Sequence, residues 1–133
     1  MALARKEARN KAMTILYQIN LYKKNNISYS KDEIINEINE EKDEFVNILV
    51  NGVIENEQEL KDTAEKYLNN WRLERLGLTD QAIIEIAIYE LLYTDTPEKV
   101  VIDEAIELAH DFSDEKVVGM INGVLDKVYH NKG

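Results

Sequence analysis

Apolar residues recur at steps of three or four along almost the whole chain, the spacing of helices that bury one face. Ala4, Ala8, Ala12, Ile15, Leu16 and Ile19 form one stripe and predict a first helix. Residues 23–29 read as a loop. Ser30 with Glu33 has the form of a capping box and opens a short helix carrying Ile34, Ile35 and Ile38. Charged residues 39–43 link it to the next element. From Phe45 through Val53 and Leu60 to Trp71 the spacing predicts one long amphipathic helix, or two with a bend near Asn56, and Gly77 closes that region. Thr79 is the predicted cap of a helix whose Ile83, Ile84, Ile86, Ala87, Ile88, Leu91 and Leu92 leave little polar face. That helix belongs at the centre. After a turn at 94–96, Pro97 opens the next helix or sits just before it. There Ile102, Ala105, Ile106, Ala109 and Phe112 face inward, and Asp103, Glu104, Glu107 and Asp111 face outward. Ser113 is the predicted cap of a last helix burying Val117, Ile121, Val124, Leu125 and Val128. Strand-like alternation of useful length is missing. The pattern predicts an all-α bundle of six to seven helices.

Composition narrows the functional classes. A chain of 133 residues corresponds to one domain. With no cysteine, disulfides, thiolate catalysis and cysteine metal sites are excluded. No apolar run reaches the ~18 residues of a membrane span, and the opening residues lack a signal peptide's apolar stretch. These features predict a cytoplasmic protein away from membranes. His110 and His130 are the only histidines, and neither has a second ligand at metal spacing on an inward face. Asp103 and Glu107 fall on an outer face, where solvation is the ordinary reading. No glycine loop for phosphates is present. No catalytic residue, metal or cofactor is therefore assigned, and an enzyme is disfavoured.

The charge is uneven. The whole chain carries −10. Residues 1–24 hold six basic residues against Glu7 alone, a net of +5, so the remainder carries −15. At about 100° per residue, with Arg5 at zero, Lys6 falls at about 100°, Arg9 at about 40°, and Lys23 and Lys24 at about 0° and 100°. Tyr17 lies at about 120°, beside this arc, while the apolar stripe centres at about 300°. Cations with a neighbouring ring suit single-stranded nucleic acid, the cations neutralising phosphates and the ring stacking on a base. The plainer alternative is a solvated helix with Tyr17 at a core edge.

The ordered segments Ala8-Arg9, Ile15-Leu16-Tyr17-Gln18, Val50-Asn51-Gly52-Val53, Tyr67-Leu68, Leu78-Thr79-Asp80-Gln81-Ala82-Ile83, Val100-Val101-Ile102-Asp103-Glu104-Ala105-Ile106-Glu107-Leu108-Ala109 and Asn122-Gly123-Val124-Leu125-Asp126 give a further reading. With these the chain resembles the NusB family of bacterial transcription antitermination factors. The resemblance implies two packed helical subdomains in a single RNA-binding domain spanning residues 1–133. It implies binding of single-stranded boxA RNA from ribosomal-operon leaders together with the small-subunit ribosomal protein NusE. The pair would then join RNA polymerase with other Nus factors. It places RNA contacts at Arg5, Lys6, Arg9, Tyr17 and Tyr67, and near the last helix at Lys116 and Met120. Partner-contact residues are unassigned, and a homodimer is left open. Glu7 stands where the family is often basic, Met120 where it often has Phe, and Gln81 and Glu85 where it often has Arg. These departures, with the acidic remainder, motivate the alternative of a protein-only interaction module of the same fold with RNA binding weakened or lost. Asn51-Gly52 and Asn122-Gly123 are expected to permit close helix packing, and Trp71 is expected in the core.

Overall fold

Seven helices form along the described part of the chain, residues 2–69 and 71–131 of a computed structural model. They are α1 (Arg5–Lys24), α2 (Lys31–Ile38), α3 (Glu44–Glu55), α4 (Glu57–Tyr67), α5 (Leu78–Tyr93), α6 (Glu98–Phe112) and α7 (Glu115–Asn131), with a 3-10 turn at Leu73–Arg75 before α5. Met1, Asn70, Lys132 and Gly133 of the expected 1–133 domain lie outside the described residues.

The uniformly apolar run does form the central helix. Every residue of α5 from Ala82 to Ile88 is buried, and α5 packs against α1, α3, α4, α6 and α7. A helix with so little polar face loses least when surrounded on all sides. Around it the chain divides into two packed groups. Helix α1 gathers α2 and α3, while α4, α6 and α7 assemble on the rest of α5. No described helix is long and apolar enough to cross a membrane.

Side-chain caps start some of the helices. Ser30 Oγ accepts the Glu33 N–H at 3.2 Å and caps α2. Asp43 Oδ1 accepts the Val46 N–H at 3.0 Å and caps α3, while Oδ2 takes the Leu3 N–H at 2.8 Å. One carboxylate thus starts a helix and ties down the segment leading into α1. The Leu3 N–H holds the Asp43 carboxyl below its ordinary range, with the Val46 and Phe45 N–H groups helping against burial.

Several expectations are corrected. Lys23 and Lys24 form the last turn of α1, so the loop begins later. Of the two alternatives for the 45–71 region, the structure has two helices meeting at Asn56, the second ending at Tyr67 rather than reaching Trp71. Asn69 adopts φ 30, in the left-handed region, just past the end of α4. Trp71 therefore lies outside any helix and is 47% exposed rather than in the core. Gly77, not Thr79, is the N-cap of α5. Asp114 Oδ1, not Ser113, accepts the Val117 N–H at the start of α7. Phe112, the last residue of α6, is 52% exposed rather than inward-facing. Val118 is buried in α7, while Val117 is only half-buried.

The two glycines expected at close helix contacts behave differently. A β-carbon on Gly52 would fall on the ring of Tyr89, so α3 approaches α5 only because that position is bare. A β-carbon on Gly123 would meet nothing within 4 Å, so no close packing needs it. Gly52→Ala should destabilise the protein by about 1–3 kcal/mol through forced displacement of the Tyr89 ring. Gly123→Ala should be neutral or stabilising by up to about 1 kcal/mol from helix propensity. Urea denaturation of both variants checks the contrast.

Candidate functional site

The three leading cations of α1 engage three different helices. Arg9 is 4% exposed. Its Nε and Nη2 donate to Glu90 Oε2 and Oε1 at 2.8 and 2.9 Å, a bidentate pair between α1 and α5. Burial opposes the Arg9 charge, but the hydrogen bonds and charge of Glu90 outweigh it and hold its pKa above the ordinary value. The Arg9 guanidinium is thus committed to an interior ion pair rather than to the exposed basic arc expected for it. Arg5 lies over the Phe45 ring of α3, with its guanidinium carbon 3.9 Å from the centroid, and stays exposed. Lys6 reaches α6, where Nζ donates to Glu107 Oε1 at 3.1 Å across an exposed surface. The hydrogen bond from Glu107, then its charge and those of Glu104 and Asp111, raise the Lys6 pKa. The acidic outer face of α6 thus neutralises part of the basic arc. Such exposed pairs contribute little and exchange readily with another anion.

The remaining predicted residues separate into three places. Tyr17 is 38% exposed on α1. Tyr67 is half-buried, with Lys66 Nζ 5.5 Å from its ring centroid, in a cleft shared with Leu92 and Val128. Lys116 and Met120, one turn apart on α7, line a different groove with Trp71, Asn69, Leu76 and Val117. The lining of that groove is largely apolar, with an exposed indole and an ammonium group beside it. Sequence reasoning missed the indole because helical spacing carries Trp71 into the stripe of α4, whereas the helix stops at Tyr67.

Sequence reasoning noted Glu85 as a departure from the family pattern but not its burial without a partner. This residue lies mid-α5 at 6% exposure and makes no hydrogen bond or ion pair among the described residues. Burial, and secondarily the charge of Glu57, push its carboxyl from 4.5 up to about 7, with Lys23 opposing. It opens into a polar cleft between α1, α4 and the 3-10 turn. No described group of three or more His, Asp or Glu side chains is arranged to hold a metal ion.

Helices stacked around one apolar core helix place the chain in a class of all-α proteins. Residues 6–130 match the model of the NusB family. The Transcription antitermination protein NusB of Macrococcus caseolyticus (strain JCSC5402) is 40% identical over 131 residues, 98% of this chain and 99% of that protein. A structure of T. maritima NusB superposes with a TM-score of 0.87 at 30% identity, covering 98% of this chain and 94% of that one. A crystal structure of antitermination factors NusB and NusE in complex with dsRNA matches with a TM-score of 0.79 at 26% identity, covering 95% and 96%. The chain belongs to the NusB family.

Two predictions follow from the buried charges. Arg9→Ala or Glu90→Ala alone should cost about 3–5 kcal/mol by stranding the other charge, and Arg9→Met with Glu90→Leu should recover most of it, as read by urea denaturation. For Glu85, the folded state holds a proton that the unfolded state releases between pH 4.5 and about 7. Wild type therefore loses stability as pH rises through that window. Glu85→Gln should match wild type within about 1 kcal/mol near pH 4 and exceed it by on the order of 3 kcal/mol near pH 8. A stability difference independent of pH would contradict this assignment.

Proposed function

We propose that this protein is a transcription antitermination factor of the cytoplasm. In this reading it binds boxA RNA together with NusE and, in that complex, joins RNA polymerase with other Nus factors. The observation that carries the reading is the family match over residues 6–130. The RNA and NusE named for a solved relative support the choice of partners. The preference for a single strand rests on ring exposure: Tyr17 and Trp71 present faces on which an unpaired base can stack. Residues 1–133 act as one domain in this reading, and the chain acts by binding.

The proposed contact set differs from the one the sequence suggested. Arg5 supplies charge from its seat on Phe45, and Lys6 does so by exchanging Glu107 for a phosphate. Lys116 and Met120 act with Trp71 as a unit, the ammonium on the backbone and the indole under a base. Tyr67, half-buried in its own cleft, is the weakest member. A protein-only module remains the second reading. It is favoured by the pairing of Lys6 with Glu107 and the loss of Arg9 to the interior.

Fluorescence titration of boxA RNA into the NusE-bound protein separates the two. Arg5→Ala with Lys6→Ala should weaken binding by about tenfold and reduce its salt dependence through lost phosphate contacts, and separately Trp71→Ala with Lys116→Ala should weaken it by about tenfold, since a stacked base contributes about 1–3 kcal/mol. Contacts to about three phosphates predict a salt slope near −2 for a single strand. No measurable boxA binding by the NusE-bound protein would favour the protein-only module, unchanged affinity in both variants would remove these two surfaces from the RNA path, and equal affinity for a duplex of the same sequence would overturn the single-strand preference.

A further inference from the structure

Glu85 has no task in RNA binding, yet its position is costly. A carboxylate inside a protein is ordinarily paired or hydrogen-bonded, and this one has neither among the described residues. The cleft it lines is formed by Asn20 of α1, Glu57 and Lys61 of α4, Leu73 and Glu74 of the 3-10 turn, and Gln81 of α5. The rim charges already have counter-charges. Glu57 pairs with Lys23 at 3.2 Å, and Glu74 with Arg72 at 3.2 Å and Lys61 at 3.7 Å. Gln81 Nε2 donates to the Leu76 carbonyl at 2.8 Å, which leaves its Oε1 as an acceptor. Glu85 is thus the one acid of this cleft without a cation.

We propose that the Glu85 cleft receives a single arginine or lysine side chain from the bound NusE. The inference rests on the functional reading above for its partner. An incoming cation supplies the missing counter-charge, and the amide oxygens of Gln81 and Asn20 can accept its remaining N–H donors. RNA is excluded as occupant because Glu57, Glu74 and Glu85 would all face its phosphates. A divalent metal would find only one unpaired carboxylate. Asn20 lies one turn beyond Tyr17 on α1, so partner and RNA would occupy adjoining stretches of the same helix. The groups facing Glu85 that could alter its charge are Lys23 on α1, Glu57 and Lys61 on α4, and Glu74 on the turn. All but Glu85 are already paired, so ionisation of Glu85 is the event that binding requires.

Calorimetric titration of NusE into the full chain at about pH 6 and pH 8 tests this. Wild-type affinity should rise about fivefold between the two, and Glu85→Gln should bind about tenfold more weakly at the higher pH with that part of the pH dependence gone. Wild-type affinity in Glu85→Gln would overturn the cleft assignment while leaving the family reading intact. No NusE binding by wild type would instead strike the proposed function. The cleft then stands or falls on a second measurement, the carbon-13 titration of the Glu85 carboxyl in the free chain. L-argininamide at about 100 mM should lower its midpoint, and spermidine at matched charge should not. An unmoved midpoint with argininamide overturns the inference, as does an equal shift with spermidine, which would mark a site for free polyamines.

Discussion

The bidentate pair between Arg9 and Glu90 is the constraint on which the rest of the structure depends. It lies between the first helix and the central one, with side-chain exposures of 5% and 1%. Two charges taken from water are tolerable only when each satisfies the other with good geometry, and two parallel N–H to carboxylate bonds provide it. Phe45 closes one side of the arrangement, with its ring centroid 5.5 Å from the Arg9 guanidinium and 3.9 Å from that of Arg5. Together with the apolar stripe of Ala8, Ala12, Ile15 and Ile19, the pair holds α1 in one rotation about its own axis. That rotation decides which α1 residues remain outside: Arg5, Lys6 and Tyr17 are exposed, while Ala8, Ala12 and Ile15 are sealed within.

Fixing α1 in this way redistributes the charge that the sequence presents as one basic arc. Arg9 becomes part of the interior, Lys6 joins the acidic face of α6, and Arg5 lies over an aromatic ring. What remains for an anionic ligand is a sparse set of cations beside exposed rings, reinforced by the Lys116 groove on α7. On the proposed reading such a surface suits a modest RNA affinity, with a protein partner adding contacts of its own. The Glu85 cleft has the opposite chemistry, an acid waiting for a cation, so the two surfaces discriminate between a phosphate backbone and a basic protein.

Much of the fold is legible in the chain because helical period and burial coincide. The uniformly apolar stretch around Ile84 can only be central, and the short helix at Ser30 announces its own cap. Where prediction fails, a single local event outweighs the period. The left-handed turn at Asn69 releases Trp71 from the stripe, and Phe112, at the very end of α6, has no further turn of helix beyond it to pack against. The burial of Arg9 had a visible cue. Leu16 and Met13 fall at about 20° and 80° on the helical wheel and bracket Arg9 at about 40°, and both are buried. Its partner had none, since nothing in the spacing of Glu90 separates a buried acid from an exposed one until two helices are packed. Glu85 was visible as an acid in an apolar run, but its lack of a partner is a property of the assembled cleft.

The account turns on Arg9 being held by Glu90 and withheld from ligands. Nitrogen-15 NMR of the Arg9 side chain during a boxA titration of the NusE-bound protein examines that directly. The account predicts a slowly exchanging Nε–H that stays in place as RNA is added, while signals from the Arg5, Lys6 and Lys116 surface move. A fast-exchanging Arg9 Nε–H in the free protein, or one that shifts with the RNA, would contradict it.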